Sequence, residues 1–525
     1  MKSQMRRAFW FACIFFAALA PVAAQGMPTA AETLARVRAA VGYERLRGHT
    51  NGVVAEGTTR FRGLDSNFTF LFAPDGRFRS DIEGPLGVIS GFDGATGWQV
   101  DWSGMPHVLE LEDLEVTQFH AWIHTGRWLA EDGPFAVSLV AEKTDDKQVA
   151  LKLARKKGVL EALLFVDRAT WLPKTVTREE GGGEVMELSD YREALGFRLP
   201  HRLTRAVGGV TSIYEIRTVA AAKHDSRRRF EPMTKRPTDA RWDGSVPARI
   251  EVRRVRSGHL LVHPLVNGKD VGWFILDSGA SAMVIDLKVA DQLGMPAFGE
   301  IVAVGAAGST KARFRQGETF MLGPVTLKGT RYLELDLKFL TDAFGVPIGG
   351  ICGRDLFMRA AVEIDMSTDS VAIHEPTRYR LEGASWQELF FSGRNPVVRA
   401  RFEGHEGLFR LDTGAGQTVS MHTPAVERYK LLSGRETRAS RSGGVGGSQA
   451  SRAGKLAWFE FAGRRFEALD VEFAGTSEGA FSDVYTTGNI GTGILREFRI
   501  VFDYGNKRVA FAPHRAAKPA GAGAR

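Results

Sequence analysis

The stretch 273-WFILDSGAS-281 ends a run of bulky apolar residues on an acid, a hydroxyl and a glycine. A buried carboxylate costs several kcal/mol unless it is paired or neutralised. Asp277 therefore either caps a turn or is retained because its carboxyl has a chemical role. A second acid in the same setting elsewhere in the chain would favour the chemical role.

The chain contains such a second copy. The segment GWFILDSGASAMVID (272–286) matches GLFRLDTGAGQTVSM (407–421), which places Asp412 opposite Asp277. Two later blocks match in the same order, namely GICGRDLF with GNIGTGIL and VEIDMSTDSVAI with IVFDYGNKRVAF. An ordered match of this length indicates an internal duplication. We place the two repeat units at residues 248–378 and 379–514.

Each repeat unit also carries a glycine-rich hairpin between its matched blocks. The first is AVGAAGSTKARF (303–314), and the second is SGGVGGSQASRAG (442–454). Neither hairpin ends in the Lys-(Ser/Thr) pair of a phosphate-binding loop, which argues against a nucleotide site. The glycines that we single out as hairpin or substrate-pocket residues are Gly305, Gly308, Gly444 and Gly446.

Two carboxyls brought face to face cannot both ionise easily, so one keeps a proton and the pair titrates as a unit. Such a pair can hold one water molecule between its oxygens. The ionised acid takes a proton from that water as it attacks an amide carbonyl, and the protonated acid donates to the carbonyl oxygen. In this arrangement Ser278 and Thr413 can hydrogen-bond across to the opposing strand, while Gly279 and Gly414 allow close approach of the backbone.

The repeat resembles the retropepsin-like aspartic peptidases: an apolar strand, Asp-(Thr/Ser)-Gly-Ala, a flap hairpin, and an apolar-apolar-Gly segment before a short helix. Because both copies lie in one chain, the arrangement also resembles a pepsin-type pseudo-dimer. The resemblance implies a mainly β fold with two tandem barrel lobes, an extended polypeptide as substrate and no cofactor. It also implies that Asp277 and Asp412 are the catalytic dyad, that Ser278 and Thr413 make cross-lobe hydrogen bonds, and that the hairpins are flaps.

The sequence departs from that family at three places. Neither hairpin has the tyrosine typical of pepsins, and Ser281 faces Gly416 in the alignment, so one acid loses a supporting hydroxyl. Arg410 stands where the first copy has Ile275, at a position that borders a substrate pocket in the family. Arg410 then selects an acidic substrate side chain, pairs with a dyad acid, or points outward past the end of its strand.

Residues 29–222 form a different unit. A helix ending at Gly42 is followed by many short strands with turn residues between them, which predicts an antiparallel meander with a second helix in its middle. Phrases such as GFDGATGWQVD and LFVDRATWLPKTV are similar to the periplasmic lipoprotein-carrier and lipoprotein-sorting family. That resemblance implies a half-open barrel with an apolar cavity that binds a lipid or acyl chain, whereas a spacer or a prodomain-like cover is the alternative.

The remaining segments indicate where the protein is located and how its units are connected. Residues 1–24 have a basic start and a short apolar core, which predicts a cleaved signal peptide and a periplasmic or secreted protein. No other stretch is long and apolar enough for a transmembrane helix. Residues 223–247 are charged and proline-rich, which predicts a linker, and 515–525 are low-complexity, which predicts a disordered tail.

Composition excludes some function classes. The net charge of +8 comes from scattered basic residues, so we expect no nucleic-acid partner. The two histidines His120 and His124 are spaced i, i+4, but no third ligand stands at a recognised spacing, and we predict no metal site. Cys352 is the one cysteine outside the predicted signal peptide, so no internal disulfide is expected and its predicted role is packing.

The sequence thus predicts an exported aspartic endopeptidase that uses Asp277 and Asp412. The alternative is a non-catalytic peptide- or lipid-binding carrier whose peptidase-like units are degenerate. A third arrangement, in which each unit completes its dyad in a homodimer, is disfavoured because the two units are adjacent and differ in sequence.

Overall fold

The computed structural model describes residues 27–179, 183–223, 227–305, 308–444, 447–476 and 479–514. The predicted signal peptide and the predicted tail lie outside these ranges. The chain is mainly β-sheet, as predicted. None of the helices in the described ranges has the length and apolar character that crossing a bilayer requires.

The first part of the chain builds one antiparallel sheet of 13 strands. Helix α1 begins at a capping box of Thr29 and Glu32 and ends at Gly42, whose φ of 70° favours glycine. The predicted first helix is therefore confirmed. The helices are α1 Ala30–Val41, α2 Tyr43–Arg47 and α3 Leu111–His124. The strands are β1 Val53–Phe61, β2 Leu64–Phe72, β3 Phe78–Ile82, β4 Ile89–Phe92, β5 Gly97–Val100, β6 Pro106–Val108, β7 Phe135–Leu139, β8 Gln148–Arg155, β9 Glu161–Asp167, β10 Pro173–Arg178, β11 Glu184–Ala194, β12 Phe197–Val207 and β13 Val210–Ala221.

The order of these strands is β6-β5-β4-β3-β2-β1-β13-β12-β11-β10-β9-β8-β7. Neighbours in sequence are neighbours in space, except that β1 pairs with β13 and α3 connects the two edge strands β6 and β7. The predicted meander with a helix in its middle is therefore present. The apolar side chains of the three helices join those of the strands in one core on one face of the sheet.

The segment predicted as a linker is partly ordered against its neighbours, which corrects that prediction. It contains α4 Arg227–Phe230 and β14 Ala240–Trp242. Phe230 is fully buried, and its carbonyl oxygen accepts a 2.7 Å hydrogen bond from the indole N–H of Trp98. The many charged residues of the segment gave no indication that Phe230 would be buried against the 13-stranded sheet.

Residues 249–374 form the first repeat unit. Its helices are α5 Leu287–Gln292, α6 Lys338–Phe344 and α7 Arg354–Phe357. Its strands are β15 Arg249–Ile250, β16 Val252–Arg254, β17 Leu260–Val262, β18 Leu265–Val266, β19 Lys269–Asp270, β20 Trp273–Leu276, β21 Met283–Asp286, β22 Ala297–Gly305, β23 Gly308–Gln316, β24 Thr319–Leu322, β25 Val325–Lys328, β26 Arg331–Leu335, β27 Ile348–Cys352, β28 Ala361–Asp365 and β29 Ser370–His374.

Residues 387–512 form the second repeat unit. Its helices are α8 Thr423–Arg428 and α9 Thr492–Leu495. Its strands are β30 Gln387–Glu388, β31 Phe390–Ser392, β32 Asn395–Phe402, β33 His405–Leu411, β34 Val419–Met421, β35 Arg438–Gly444, β36 Gly447–Phe461, β37 Arg464–Ala474, β38 Gly488–Ile490, β39 Arg499–Asp503 and β40 Arg508–Ala512.

Each unit contributes an eight-stranded sheet, and the two sheets have the same strand order. The first is β16-β17-β20-β27-β21-β26-β23-β22, and the second is β31-β32-β33-β38-β34-β37-β36-β35. In both sheets the strand that ends at the Asp-(Ser/Thr)-Gly motif lies parallel to the strand of the later matched block. The aligned sequence blocks therefore occupy equivalent places in the two sheets.

The two units also share one sheet. Its six strands are ordered β15-β29-β28-β39-β40-β30, so β28 of the first unit pairs with β39 of the second. That pairing is antiparallel and runs from Val362 opposite Phe502 to Asp365 opposite Arg499. A single apolar core continues from the first unit into the second. Three strands of the first unit thus lie beside three strands of the second unit in one continuous sheet.

The 13-stranded sheet packs against both repeat units. The ring of Trp102 meets that of Phe314 edge-on, with centroids 5.6 Å apart. Glu300 on β22 donates its backbone N–H to the carbonyl oxygen of Arg62 at 2.8 Å, and the carboxylate of Glu110 accepts the backbone N–H of Phe391 at 3.1 Å. The hairpin of the first unit is thereby attached at its base to the N-terminal sheet.

A buried ion pair joins three parts of the chain. The Arg359 guanidinium, whose side chain is 6% exposed, bonds both carboxylate oxygens of Asp239. It also donates to the carbonyl oxygen of Ser103 at 2.8 Å. Arg359 lies in the first repeat unit, Asp239 in the predicted linker and Ser103 between strands of the N-terminal sheet.

Replacing Arg359 with methionine should lower the free energy of unfolding by about 3 kcal/mol, because it leaves the Asp239 carboxylate without its partner in a largely buried place. Urea denaturation followed by tryptophan fluorescence measures this loss. Arg378→Met is the matched control: Arg378 pairs with Glu375, but its side chain is 79% exposed, so its loss should stay below about 1 kcal/mol. Equal losses in the two variants would contradict a structural role for the Arg359 pair.

Candidate active site

The two acids lie at equivalent strand ends. β20 ends immediately before Asp277, and β33 ends immediately before Asp412. The backbone N–H of Asp277 donates to the carbonyl oxygen of Cys352, and that of Asp412 donates to the carbonyl oxygen of Ile490, each at 3.0 Å. The last residues of each strand are apolar and buried. The acid that follows each strand directs its carboxyl toward the other repeat unit.

Four crossed hydrogen bonds hold the two motifs together. The hydroxyl of Ser278 donates to the carbonyl oxygen of Leu411, and the hydroxyl of Thr413 donates to that of Leu276, each at 2.8 Å. The same hydroxyl oxygens accept backbone N–H groups, from Ser278 to Thr413 Oγ1 at 2.9 Å and from Thr413 to Ser278 Oγ at 3.0 Å. Both side chains are buried, so no water competes for these bonds.

The motif glycines allow the carboxyls to approach the opposite backbone. A Cβ added to Gly279 would lie 2.7 Å from Cγ of Asp412, and one added to Gly414 would lie 2.3 Å from Oδ2 of Asp277. Any side chain at these positions would displace a carboxyl. The two glycine N–H groups also donate to the acid of their own motif, Gly279 to Asp277 Oδ1 at 2.8 Å and Gly414 to Asp412 Oδ1 at 2.9 Å.

The surroundings favour one shared proton. Burial and, after it, the nearby charge of Asp412 raise the pKa of Asp277 to about 8. Burial also raises the pKa of Asp412, but the Gly414 N–H, His259, Arg410 and the side-chain amide of Asn489 oppose that rise. Each carboxyl keeps a partly exposed surface while protein surrounds its other sides. Near neutral pH the pair is therefore singly protonated.

Three residues that the sequence did not single out support this pair. Asn489 donates its side-chain N–H to Asp412 Oδ2 at 3.0 Å. His259 Nε2 lies 2.9 Å from the carbonyl oxygen of Gly414, and the hydroxyl of Tyr504 donates to the carbonyl oxygen of Ser278 at 2.8 Å. Asn489 could have been noticed in the sequence, because it is a polar residue at the position where the first copy has Ile351.

Arg410 lies inside the protein, so the alternative in which it points outward is wrong. It is 7% exposed, and its guanidinium donates to the carboxylate of Asp483 at 2.7 Å. Its ion-pair partner is thus an acid outside the candidate dyad. Asp483 is 73 residues away in sequence, and the strand pattern around Arg410 contained no sign of it.

Ile275 is buried in an apolar cluster next to the first motif. The cluster includes Ile351 of the parallel strand and two side chains of the N-terminal sheet, Leu86 and Trp102. Ile275 thus packs against apolar neighbours at the position that Arg410 occupies in the second unit. The two sides of the candidate dyad therefore differ in polarity.

The glycine-rich segments form hairpins in both repeat units. Strands β22 and β23 pair up to Gly305 opposite Gly308, and β35 and β36 pair up to Gly444 opposite Gly447. The predicted pocket residue Gly446 lies outside the described residues. Ser281, predicted as a supporting hydroxyl, has no side-chain hydrogen bond to Asp277 within the described ranges, and its carbonyl oxygen accepts a bond from Arg394 at 3.2 Å.

The two helix histidines do not form a metal site. His120 Nε2 lies 2.9 Å from the carboxylate of Glu184, which also contacts two arginines, and His124 stacks on Phe78. Across the described ranges, no group of three or more His, Cys, Asp and Glu side chains is placed to hold a metal ion. Cys352 is fully buried, and burial raises the pKa of its thiol.

The N-terminal unit contains a mainly apolar cavity. All of its lining residues lie between Val41 and Ile216, so none belongs to the repeat units. Residues of helices and of strands both line it. Its lining includes Leu46, Phe70, Ile123, Leu164, Leu203 and Ile216.

Comparison with known proteins connects part of this chain to a family. No curated protein sequence is significantly similar to it. A solved LolA superfamily protein from Nitrosomonas europaea aligns over 39% of this chain and 98% of its own, with 15% identity and a TM-score of 0.29. Residues 262–356, which include Asp277 and the later matched block of the first repeat unit, match the family model described as aspartyl protease.

Proposed function

We propose that this protein is an aspartic endopeptidase with two retropepsin-like lobes in one chain, which hydrolyses peptide bonds with a water molecule activated between Asp277 and Asp412. The observation that carries the proposal is the set of crossed hydrogen bonds through Ser278 and Thr413. Those bonds join two copies of one acid-bearing motif so that the carboxyls face each other. The aspartyl protease match over the first copy supports the same activity.

The proposed reaction needs one ionised and one protonated carboxyl. The ionised carboxyl accepts a proton from the water, whose oxygen attacks the peptide carbonyl carbon. The protonated carboxyl donates its proton to the carbonyl oxygen, which gives a neutral tetrahedral diol. The carboxyl that took the proton of water then gives it to the leaving nitrogen, while the other carboxyl takes a proton from a diol hydroxyl. The C–N bond breaks, and the pair is singly protonated again.

The proposed substrate is an extended polypeptide. The hairpins that carry Gly305, Gly308 and Gly444 would close over it, and the apolar wall around Ile275 would contact its side chains on one side. On the other side Arg410 is held by Asp483, so its charge is neutralised unless a substrate acid displaces that partner. We therefore expect a preference for apolar residues on the side of the first lobe.

A second candidate function rests on the cavity of the N-terminal sheet. Its lining is almost wholly apolar, which suits a lipid or acyl chain and would allow the chain to act as a carrier without cutting peptides. The full chain should then bind a fluorescent long-chain fatty acid, and Leu203→Trp should weaken that binding by filling the cavity. Unchanged binding in this variant would exclude the cavity as the fatty-acid site.

Asp277→Asn and Asp412→Asn should each lower kcat/KM for peptide cleavage at least about 10³-fold, because an amide can neither accept the proton of water nor donate one as an acid does. A peptide library incubated with the purified protein across roughly pH 3 to 7.5 supplies the substrates and the assay. Asp470→Asn is the matched control, since that carboxylate is 82% exposed on the second eight-stranded sheet. Undiminished cleavage in either dyad variant would refute the proposal.

The pH dependence of kcat/KM should be bell-shaped, with its alkaline limb near pH 8. Above that pH Asp277 loses its proton and the pair has no acid left to donate to the carbonyl oxygen. Below the lower apparent pKa of the pair both carboxyls are protonated and no base remains. A profile that still rises above pH 9 would contradict the shared proton.

The same protonation should appear in stability. Because the folded-state pKa of Asp277 is raised, the native protein retains a proton that the unfolded chain releases between about pH 4 and pH 8. Stability should therefore fall as pH rises through this window. Asp277→Asn, which removes the ionisation, should have a higher unfolding midpoint than the wild type at pH 7.5, and thermal unfolding measures the difference.

A further inference from the structure

A buried amide contacts one dyad acid and not the other. Asn489 donates its side-chain N–H to Asp412 Oδ2 at 3.0 Å, while Asp412 Oδ1 accepts the N–H of Gly414. Asn489 is 6% exposed. Both oxygens of Asp412 thus have a donor from its own repeat unit, and each of these bonds stabilises the ionised form of the carboxyl.

The orientation of Asn489 is set by the residues behind it. Its Oδ1 accepts a hydrogen bond from His422 Nε2 at 3.0 Å, so its amide nitrogen must face Asp412. His422 Nδ1 lies 3.0 Å from the hydroxyl of Thr486, which in turn contacts Asp483, the partner of Arg410. His422 is fully buried, and Thr486 is 3% exposed. This chain of contacts keeps the amide from rotating.

In its described residues, the first repeat unit has no counterpart of this network. The sequence alignment places Ile351 opposite Asn489, Leu287 opposite His422 and Ile275 opposite Arg410. Ile351 has no side-chain donor, and it packs in the apolar cluster beside Asp277. Asp277 Oδ1 accepts the backbone N–H of Gly279, just as Asp412 Oδ1 accepts that of Gly414. Backbone N–H groups support both carboxyls, those of Gly279 and Ala280 for Asp277 and that of Gly414 for Asp412, whereas the side-chain amide of Asn489 supports Asp412.

We propose that Asn489 is a positioning residue that assigns the roles of the two acids: its amide holds Asp412 ionised as the base, which leaves the proton on Asp277 as the acid. The assignment rests on the proposed peptidase function, which uses one acid in each role. It extends that function because nothing in the Asp-(Ser/Thr)-Gly motifs themselves distinguishes the two carboxyls.

Other charged and titratable groups also face Asp412. They are Asp277, His259, Arg410 and Tyr504. Burial lowers the pKa of His259, but His259 still opposes the rise in the pKa of Asp412. Burial raises the pKa of Tyr504, so its phenol keeps its proton. Arg410 is the remaining cation, and its guanidinium is bonded to Asp483.

Asn489→Ile, which installs the residue of the first unit, should raise the pKa of Asp412 by about one pH unit, the effect of losing a hydrogen bond to a carboxylate. Titration of selectively ¹³C-labelled aspartate carboxyls by NMR measures this shift in the full chain without any activity, with Asp412→Asn identifying the signal. The acidic limb of the kcat/KM profile should move upward by the same amount.

Two further variants separate positioning from packing. Asn489→Thr retains a side-chain donor and should keep the acidic limb within a few tenths of a pH unit of wild type. Ile351→Leu changes the equivalent position beside Asp277 and should leave the titration of Asp412 unchanged. If Asn489→Ile fails to fold, Asn489→Thr and Asn489→Leu provide the same comparison with and without a donor.

The outcomes distinguish this inference from the function on which it rests. If the wild type cuts no peptide while Asn489→Ile raises the Asp412 titration, the peptidase proposal fails and the positioning by Asn489 stands. If the wild type cuts peptides while Asn489→Ile leaves both the titration and the acidic limb unchanged, the inference is overturned. Equal shifts in Asn489→Ile and Ile351→Leu would also overturn it, since they would reflect packing alone.

Discussion

The constraint on which the structure depends is the repulsion between two carboxyls that are held face to face. Left to itself, this repulsion would separate the motifs of Asp277 and Asp412. The crossed bonds of Ser278 and Thr413 oppose it locally, and the shared six-stranded sheet opposes it across the whole width of the molecule. A shared proton removes most of the remaining cost, because the pair then carries one charge and not two.

The pair is symmetric in its backbone and asymmetric in its surroundings. The symmetry is seen in the two eight-stranded sheets, which have one strand order, and in the two motifs, which make the same crossed bonds. The asymmetry comes from a few side chains, with apolar Ile275 and Ile351 on one side and the polar network through Asn489 and Arg410 on the other. The two matching sheets thus place the two acids at corresponding positions. Different side chains around the two acids then make their surroundings unequal.

The sequence alone predicted much of this, because its strongest signals are local and repeated. Alternating strands and the aligned motifs led to the mainly β fold and to Asp277 and Asp412 as a candidate pair. Partners distant in sequence were not predictable: Asp483 lies 73 residues from Arg410, and only the folded chain brings them together. The order within segment 223–247 was not predictable for a related reason. Its charges and prolines are typical of a linker, whereas its contact with the N-terminal sheet depends on one buried phenylalanine.

The shared six-stranded sheet also sets a time order on assembly. A ribosome makes the chain from its N-terminus, so β28 of the first unit is complete long before its partner β39 exists. Strand β40, which lies between β39 and the edge strand β30, ends at Ala512, close to the last described residue. Asp277 can therefore meet Asp412 only after almost all of the described chain has been made. Until then the nascent chain has no facing carboxyls.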